Sequence, residues 1–211
     1  MYKNVIKRLI DIIISLMLIP FILILIIPVA LFIKLEDHGD VFYNAERYGC
    51  NMKKFKMFKF RSMKMNAPDV RNADGTTFNS EKDVRLTKIG GFLRKTSIDE
   101  LPQIFNVLLG DMSFVGPRPD VPGYADKLEG DDRRVLQLRP GITGPASLKY
   151  RDEEVLLAAQ ANPQEFNDKV IYPDKVRINL YYLDHYSFVA DIKMIIATVL
   201  GKRIEYNNEI I

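Results

Sequence analysis

The chain has 211 residues, enough for one folded domain and too few for two full ones. Hydrophobic residues make up 47% of it, so it can bury a core, and 30 basic against 27 acidic residues leave a net charge of +3, too weak a bias to point to nucleic acid. Cys50 is the single cysteine, which excludes an internal disulfide and a CxxC or Cys/His zinc site. His38 and His185 lie far apart without a Cys or Ser partner motif, so both are read as surface or polar packing residues.

From Ile12 to Ile33 the chain carries no charge, and Ser15 is its one polar side chain. About 22 residues span roughly 33 Å as a helix, just enough to cross a bilayer. The run is too long for the core of a signal peptide, and Lys34-Leu35-Glu36-Asp37 follows it instead of a small-residue cleavage site. A buried core helix would show a polar face, and this one has none. Pro20 and Pro28 fall inside the run, where each removes a backbone donor and favours a kink. Lys3, Lys7 and Arg8 precede it and Lys34, Arg47, Lys53, Lys54 and Lys56 follow, so the positive-inside rule gives no clear orientation. A kinked helix that dips into the bilayer and returns to the same face satisfies both flanks; a spanning helix remains the alternative.

Beyond the run, Val41–Tyr43 and Phe55–Phe60 read as short strands, with Tyr48-Gly49-Cys50-Asn51 as the turn. Strand alternation puts Lys59 and Arg61 on one face and the phenylalanines on the other. Residues 66–83, rich in Asn, Asp, Gly, Thr and Ser, read as a mobile loop. A short helix is expected over Leu101–Leu109, with Leu101, Ile104, Phe105 and Leu108 on its apolar face and Gly110 as its stop. Further helices are expected over Glu153–Gln160 and Lys175–Lys202, the latter interrupted near Ser187. Ile192, Ile195, Ile196 and Val199 form an amphipathic stripe, suited to core packing or to a membrane surface.

Asp99 and Glu100 then stand at the start of the short helix, where Ser97-x-x-Glu100 is also a capping-box pattern and first-turn acids favour the helix dipole. Gly116-Pro117-Arg118-Pro119 restricts the backbone on both sides of Arg118, and Arg139-Pro140-Gly141-Ile142-Thr143-Gly144 sets Arg139 in a tight turn. Arginines with a preset backbone suit bidentate binding of phosphate. An acid pair beside such arginines suits phosphoryl transfer at a diphosphate, with a nucleophile and a base or metal ligand. No GxxxxGK[ST] loop is present, which argues against P-loop chemistry.

Lys7-Arg8-x-x-Asp11, Lys59-Phe60-Arg61-Ser62-Met63, Asp99-Glu100-Leu101-Pro102-Gln103, Asn106 through Pro119, and Arg139 through Gly144 together resemble the monotopic phosphoglycosyl transferases, or bacterial sugar transferases, in their minimal form. The resemblance covers nearly the whole chain. It implies an α+β, mostly helical fold: a re-entrant, kinked membrane helix over residues 1–36, and a catalytic domain over 37–211 with a short β-hairpin and amphipathic membrane-surface helices. The catalytic domain would lie on the cytoplasmic face of the bacterial inner membrane. It further implies that Asp99 attacks the β-phosphate of a UDP-sugar, releasing UMP, and that polyprenyl (undecaprenyl) phosphate then takes the sugar phosphate, as the first membrane step of a glycoconjugate pathway. Glu100 would assist, Mg2+ would sit near Asp99, and Lys59, Arg61, Arg94, Arg118 and Arg139 would contact phosphates or nucleotide. The family often breaks its membrane helix at a Ser-Pro pair near mid-run, where this chain has Leu23 and Ile24. A tethered glycosyltransferase releasing UDP and a non-catalytic membrane-surface adaptor are the competing readings; the adaptor gives no reason for the acid pair and both arginine loops.

Overall fold

The structure, a computed structural model, describes residues 2–68, 83–120 and 123–211. After a π-helical turn at Tyr2–Ile6, helix α1 runs through Lys7–Asp37, 31 residues or about 46 Å if straight. It stays helical through Pro20 and Pro28. Its buried positions Asp11, Ser15, Ile22 and Ile33, with the half-buried Ile26 and Val29, recur at spacings of three, four or their sums, one narrow stripe along the helix. Most of the remaining apolar side chains, among them Met17, Phe21, Ile24 and Ile27, are exposed, and Ile10, Ile12, Ile14 and Ile19 are half-buried. This helix therefore has a buried face, and its exposed face is the hydrophobic one.

Both ends of α1 are held to the same body. At the start, Arg8 donates to the carbonyls of Val107 and Leu108, Asp11 accepts from Ser113 Oγ and the Phe114 N–H, and Lys7 pairs with Asp191 at 2.6 Å. At the far end, Ile33 packs with Phe60 and Leu93, Asp37 pairs with Arg61, and the Glu36 carboxylate accepts from the N–H groups of Lys88 and Ile89.

Strands β1 (Phe42–Tyr48) and β2 (Lys54–Phe60) form an antiparallel hairpin, longer than expected on its first arm. The register sets Tyr43 opposite Lys59, Ala45 opposite Met57 and Arg47 opposite Phe55. Helix α2 (Lys88–Lys95) begins at Thr87, whose Oγ1 accepts from the Gly90 N–H. A Cβ on Gly90 would lie 1.8 Å from the Ser62 carbonyl oxygen, so glycine alone lets α2 rest on the chain leaving β2. The loop expected over 66–83 lies outside the described residues for 69–82.

Helix α3 (Gln103–Leu109) is shorter than expected and ends at Gly110, φ 97°. Its fully buried face is Gln103, Ile104, Asn106 and Val107, rotated from the predicted stripe; Leu101, Phe105 and Leu108 are half-buried. Asn106 lies on that buried face. Its Oδ1 accepts from the Phe58 N–H and its Nδ2 donates to the Lys56 carbonyl, both at 2.8 Å, so the amide covers the open edge of β2.

Strands β3 (Ser113–Val115) and β4 (Gly141–Thr143) pair in parallel. The chain then forms short helices α4 (Pro145–Lys149), α5 (Glu153–Ala158) and α6 (Pro163–Phe166), long helices α7 (Tyr172–His185) and α8 (Phe188–Leu200), and a last hairpin of β5 (Glu205–Tyr206) and β6 (Glu209–Ile210). The expected break falls at Ser187, whose hydroxyl caps α8 through the Ala190 N–H. The largest core gathers Val115, Leu148, Val176, Tyr182, Met194 and Ala197. Within α8 the predicted stripe divides: Asp191, Met194 and Ala197 are buried, Ile192 and Ile195 half-buried, and Ile196 and Val199 exposed. His38 and His185 are exposed, as expected.

Candidate active site

Asp99 and Glu100 lie on a separate 3-10 turn, Ile98–Glu100, rather than in the first turn of α3. Ser97 before them adopts φ 55° and its side chain makes no cap bond, so the capping-box pattern is not realised. The turn leaves the two acids in different surroundings.

Glu100 is pinned. Its Oε1 accepts from Lys59 Nζ at 2.7 Å and from Arg118 Nη2 at 3.0 Å. Burial alone would push this carboxyl up, but the Arg118 and Lys59 charges and their hydrogen bonds outweigh it and hold it near about 2. Asp99 is buried at 7% exposure and accepts no hydrogen bond from another side chain among the described residues. Burial pushes its carboxyl above the usual range; the Lys59 charge pulls it back in part, and the Glu100 charge adds to the rise. One acid is thus a fixed anion that organises two cations, and its neighbour is a desolvated carboxylate that no described side chain ties down. That asymmetry suits a nucleophile beside an electrostatic partner.

The basic residues expected here separate into three groups. Lys59, from β2, and Arg118 meet at Glu100, and the Arg118 side chain is 61% exposed with donors to spare. Arg94 lies near enough to Asp99 to lower its pKa, and its Nε donates to Ser62 Oγ at 3.0 Å. Arg61 and Arg139 are elsewhere. The buried Arg61 forms a bidentate pair with Asp37 and donates to the carbonyls of Asp40 and Met63, so all its guanidinium nitrogens are engaged in clamping the end of α1 to β2. From the sequence Arg61 is expected to contact phosphate or nucleotide; the structure places it just after the end of β2 at Phe60, bound to the end of α1. Arg139 donates to the Gly110 carbonyl at 3.1 Å, at the opposite end of α3 from the acid pair.

The two arginine loops nevertheless act together. The Gly116 N–H donates to Thr143 O and the Gly141 N–H to Pro117 O. A Cβ on Gly141 or Gly144 would stand 2.2 or 2.1 Å from Gly116 backbone atoms. Backbone packed on backbone at these glycines fixes the segment that carries Arg118.

The structure adds residues that the sequence did not single out for the site. The Tyr48 N–H, at the end of β1, donates to the Asp120 carbonyl at 3.3 Å, which brings Arg47 alongside the Arg118–Asp120 segment. Burial pushes the Asp120 carboxyl up to about 6, although it accepts from Tyr172 Oη at 3.1 Å. Beyond Arg118, Glu153 accepts from Lys175 at 2.7 and 2.6 Å. Asn106 carried a sequence signal, an amide within an apolar helical pattern; Arg47 carried none.

Among the described residues no three His, Cys, Asp or Glu side chains converge as a metal site. Of the acid pair, Asp99 is the carboxylate without a side-chain donor among the described residues. A single carboxylate fits Mg2+, which is commonly held by one or two acids together with substrate phosphates.

The model of the family described as bacterial sugar transferase matches residues 2–202. The chain belongs to the bacterial sugar transferase family. It is 37% identical to the exopolysaccharide production protein PSS of Rhizobium leguminosarum bv. phaseoli over 208 residues, 94% of this chain and 95% of that protein. It is 36% identical to the UDP-glucose:undecaprenyl-phosphate glucose-1-phosphate transferase of Escherichia coli (strain K12) over 202 residues, 93% of this chain and 40% of that protein. It is 34% identical to the UDP-N-acetylgalactosamine-undecaprenyl-phosphate N-acetylgalactosaminephosphotransferase of Aeromonas hydrophila, covering 92% of this chain and 43% of that protein. This family member thus spans nearly the full length of one relative and about two fifths of the other two.

Proposed function

We propose that the protein transfers a sugar 1-phosphate from a UDP-sugar to polyprenyl phosphate, with release of UMP. The observation that carries this reading is the asymmetric acid pair: Asp99 buried and without a side-chain donor, Glu100 fixed between Lys59 and Arg118. The names of the Escherichia coli and Aeromonas relatives supply the substrate class, a UDP-sugar donor and undecaprenyl phosphate acceptor. In the first step an Asp99 carboxylate oxygen bonds to the β-phosphorus while the bond from that phosphorus to the bridging oxygen breaks. UMP leaves with the bridging oxygen, and a sugar phosphate remains on the aspartate. In the second step an oxygen of polyprenyl phosphate attacks the same phosphorus, the acyl phosphate bond breaks, and Asp99 is restored.

Lys59 and Arg118 neutralise the charge that builds on the phosphate oxygens, with Glu100 holding both in place beforehand. Asp99 would hold Mg2+, which, when bound, supplies further charge neutralisation at the diphosphate. The exposed apolar face of α1 suits insertion in the bilayer. The docking of both its ends on one body supports a helix that enters and leaves the membrane on the same face. The face is cytoplasmic in this reading, since nucleotide sugars are made there, and the membrane is the bacterial inner membrane.

The test is incubation with a panel of UDP-sugars and undecaprenyl phosphate, scoring the nucleotide released. UMP with at least one sugar supports the reading; release of UDP instead would assign the protein to glycosyl transfer without phosphate.

A further inference from the structure

Resting on that reading, we propose that Arg47 joins Arg118 in a two-guanidinium cradle for the nucleotide-side phosphate of the donor. Strand alternation puts Arg47, Ala45 and Tyr43 on one face of β1, and the hairpin register puts Lys59, opposite Tyr43, on that same face. Lys59 is the residue bonded to Glu100, so this face of the hairpin is the one turned to the acid pair. At the other end of the strand, the hydrogen bond from the Tyr48 N–H to the Asp120 carbonyl docks β1 on the residue two places after Arg118. Arg47 is thereby set beside the Arg118–Asp120 segment.

A half-buried guanidinium favours an anion, and none of the described residues forms an ion pair with this one. Among the described residues, its hydrogen bond is to the neighbouring Glu46 carbonyl, at 2.8 Å. The carboxylates facing the spot are engaged by other donors: Glu100 by Lys59 and Arg118, Glu153 by Lys175, and Asp120 by Tyr172. Burial lowers the pKa of Arg47 and the Arg118 charge adds to the fall, while Tyr43 and the Asp120 carboxylate pull it back in part. Two neighbouring arginines, one paired with Glu100 and mostly exposed and the other in no ion pair among the described residues, make a site for a phosphate with several acceptor oxygens. The α-phosphate is one bridging oxygen from the β-phosphorus, so an arginine set beside Arg118 is placed to bind it when the β-phosphorus is held by Asp99 and Arg118. The arrangement makes Arg47 a binding residue for the nucleotide rather than for the sugar or the lipid.

The experiment measures UMP binding by calorimetry on the full-length enzyme in detergent, together with KM for each substrate. Arg47→Ala should weaken UMP at least tenfold and raise KM for the UDP-sugar to match, leaving KM for polyprenyl phosphate within threefold. Arg47→Lys, which keeps the charge and loses the fork, should fall between the two and guards against a simple folding defect. If UMP affinity in both variants stays within threefold of wild type while the melting temperature drops, Arg47 only ties the hairpin to the Asp120 segment and the cradle is rejected. If the wild-type enzyme binds no UMP and releases none, the phosphoglycosyl reading falls and takes the cradle with it. Wild-type binding with unaffected variants overturns the cradle alone.

Discussion

Lys59 Nζ lies 2.7 Å from Glu100 Oε1, so the second acid of the pair is neutralised by the protein before any substrate arrives. The carboxyl of Glu100 is held near about 2 despite its burial, because Arg118 and Lys59 outweigh the desolvation. It is therefore an anion throughout the working pH range and cannot act as a proton donor there.

This gives a stability signature. A carboxyl whose folded pKa is depressed stabilises the fold above its unfolded value, about 4.3 for glutamate, and loses that contribution as pH falls through the folded value. Wild type should melt higher than Glu100→Gln at neutral pH, and the gap should close between about pH 4 and 2. Turnover of Glu100→Gln should fall, with no inflection above pH 5 that moves with the substitution. A gap that persists unchanged to the lowest accessible pH would show that the Glu100 charge does not hold Lys59 and Arg118.

Arg61 and Arg118 should behave in opposite ways. Arg61 is buried in a bidentate pair with Asp37, so Arg61→Ala leaves Asp37 uncompensated and should cost about 3 kcal/mol, the low end for a broken buried pair because Asp37 is partly solvated. The melting temperature should drop by several degrees, with activity per folded molecule largely retained. Arg118→Lys should leave the melting temperature unchanged and reduce kcat/KM by more than tenfold, about 1.4 kcal/mol, since the side chain is mostly exposed and its fork is what a phosphate uses. Thermal melts and steady-state kinetics on both variants decide it; Arg118→Lys at wild-type turnover would make Arg118 a turn residue.

Much of the fold was legible because its signals are local. A charge-free run gave α1, Gly110 gave the end of α3, and Ser187 marked the break before α8. Side-chain partners were not legible in the same way. Lys59 and Arg61 are two residues apart and share a face by alternation, yet the strand stops at Phe60 and sends one to Glu100 and the other to Asp37. Arg139 occupies a rigid turn as expected, but the interlocked glycines aim it at the end of α3. Asp11 reads as a charge at the edge of a membrane run, and only the fold shows it bonded to Ser113 and Phe114. In each case the deciding contact is many residues away in sequence.

The N-terminus and the body should lie on one side of the membrane, because Arg8 and Lys7 at one end of α1 and Glu36 and Asp37 at the other bind the same body. In a Cys50→Ser background, Asn4→Cys should resist an impermeant thiol reagent in intact cells and react once the cells are opened. Labelling from outside the intact cell would require α1 to release its N-terminal contacts and span the bilayer.

Asp99 is expected to be the covalent nucleophile, and its surroundings predict two measurements that move in opposite directions. Burial raises its carboxyl pKa, so the folded state holds the ionised form at a cost. A raised carboxyl imposes no cost below its unfolded value, about 3.9, and the full cost above its folded value. Asp99→Asn should therefore melt higher than wild type at neutral pH, with the advantage disappearing in acid. The same substitution should abolish chemistry, since an amide of nearly the same shape is a far poorer nucleophile. With enzyme and UDP-sugar alone, wild type should release a stoichiometric burst of UMP and gain the mass of one sugar phosphate, and Asp99→Asn should do neither. Should UMP appear only once polyprenyl phosphate is added, with no adduct by intact mass, a single direct displacement would replace the two-step route, and the buried carboxylate would be left with the metal alone.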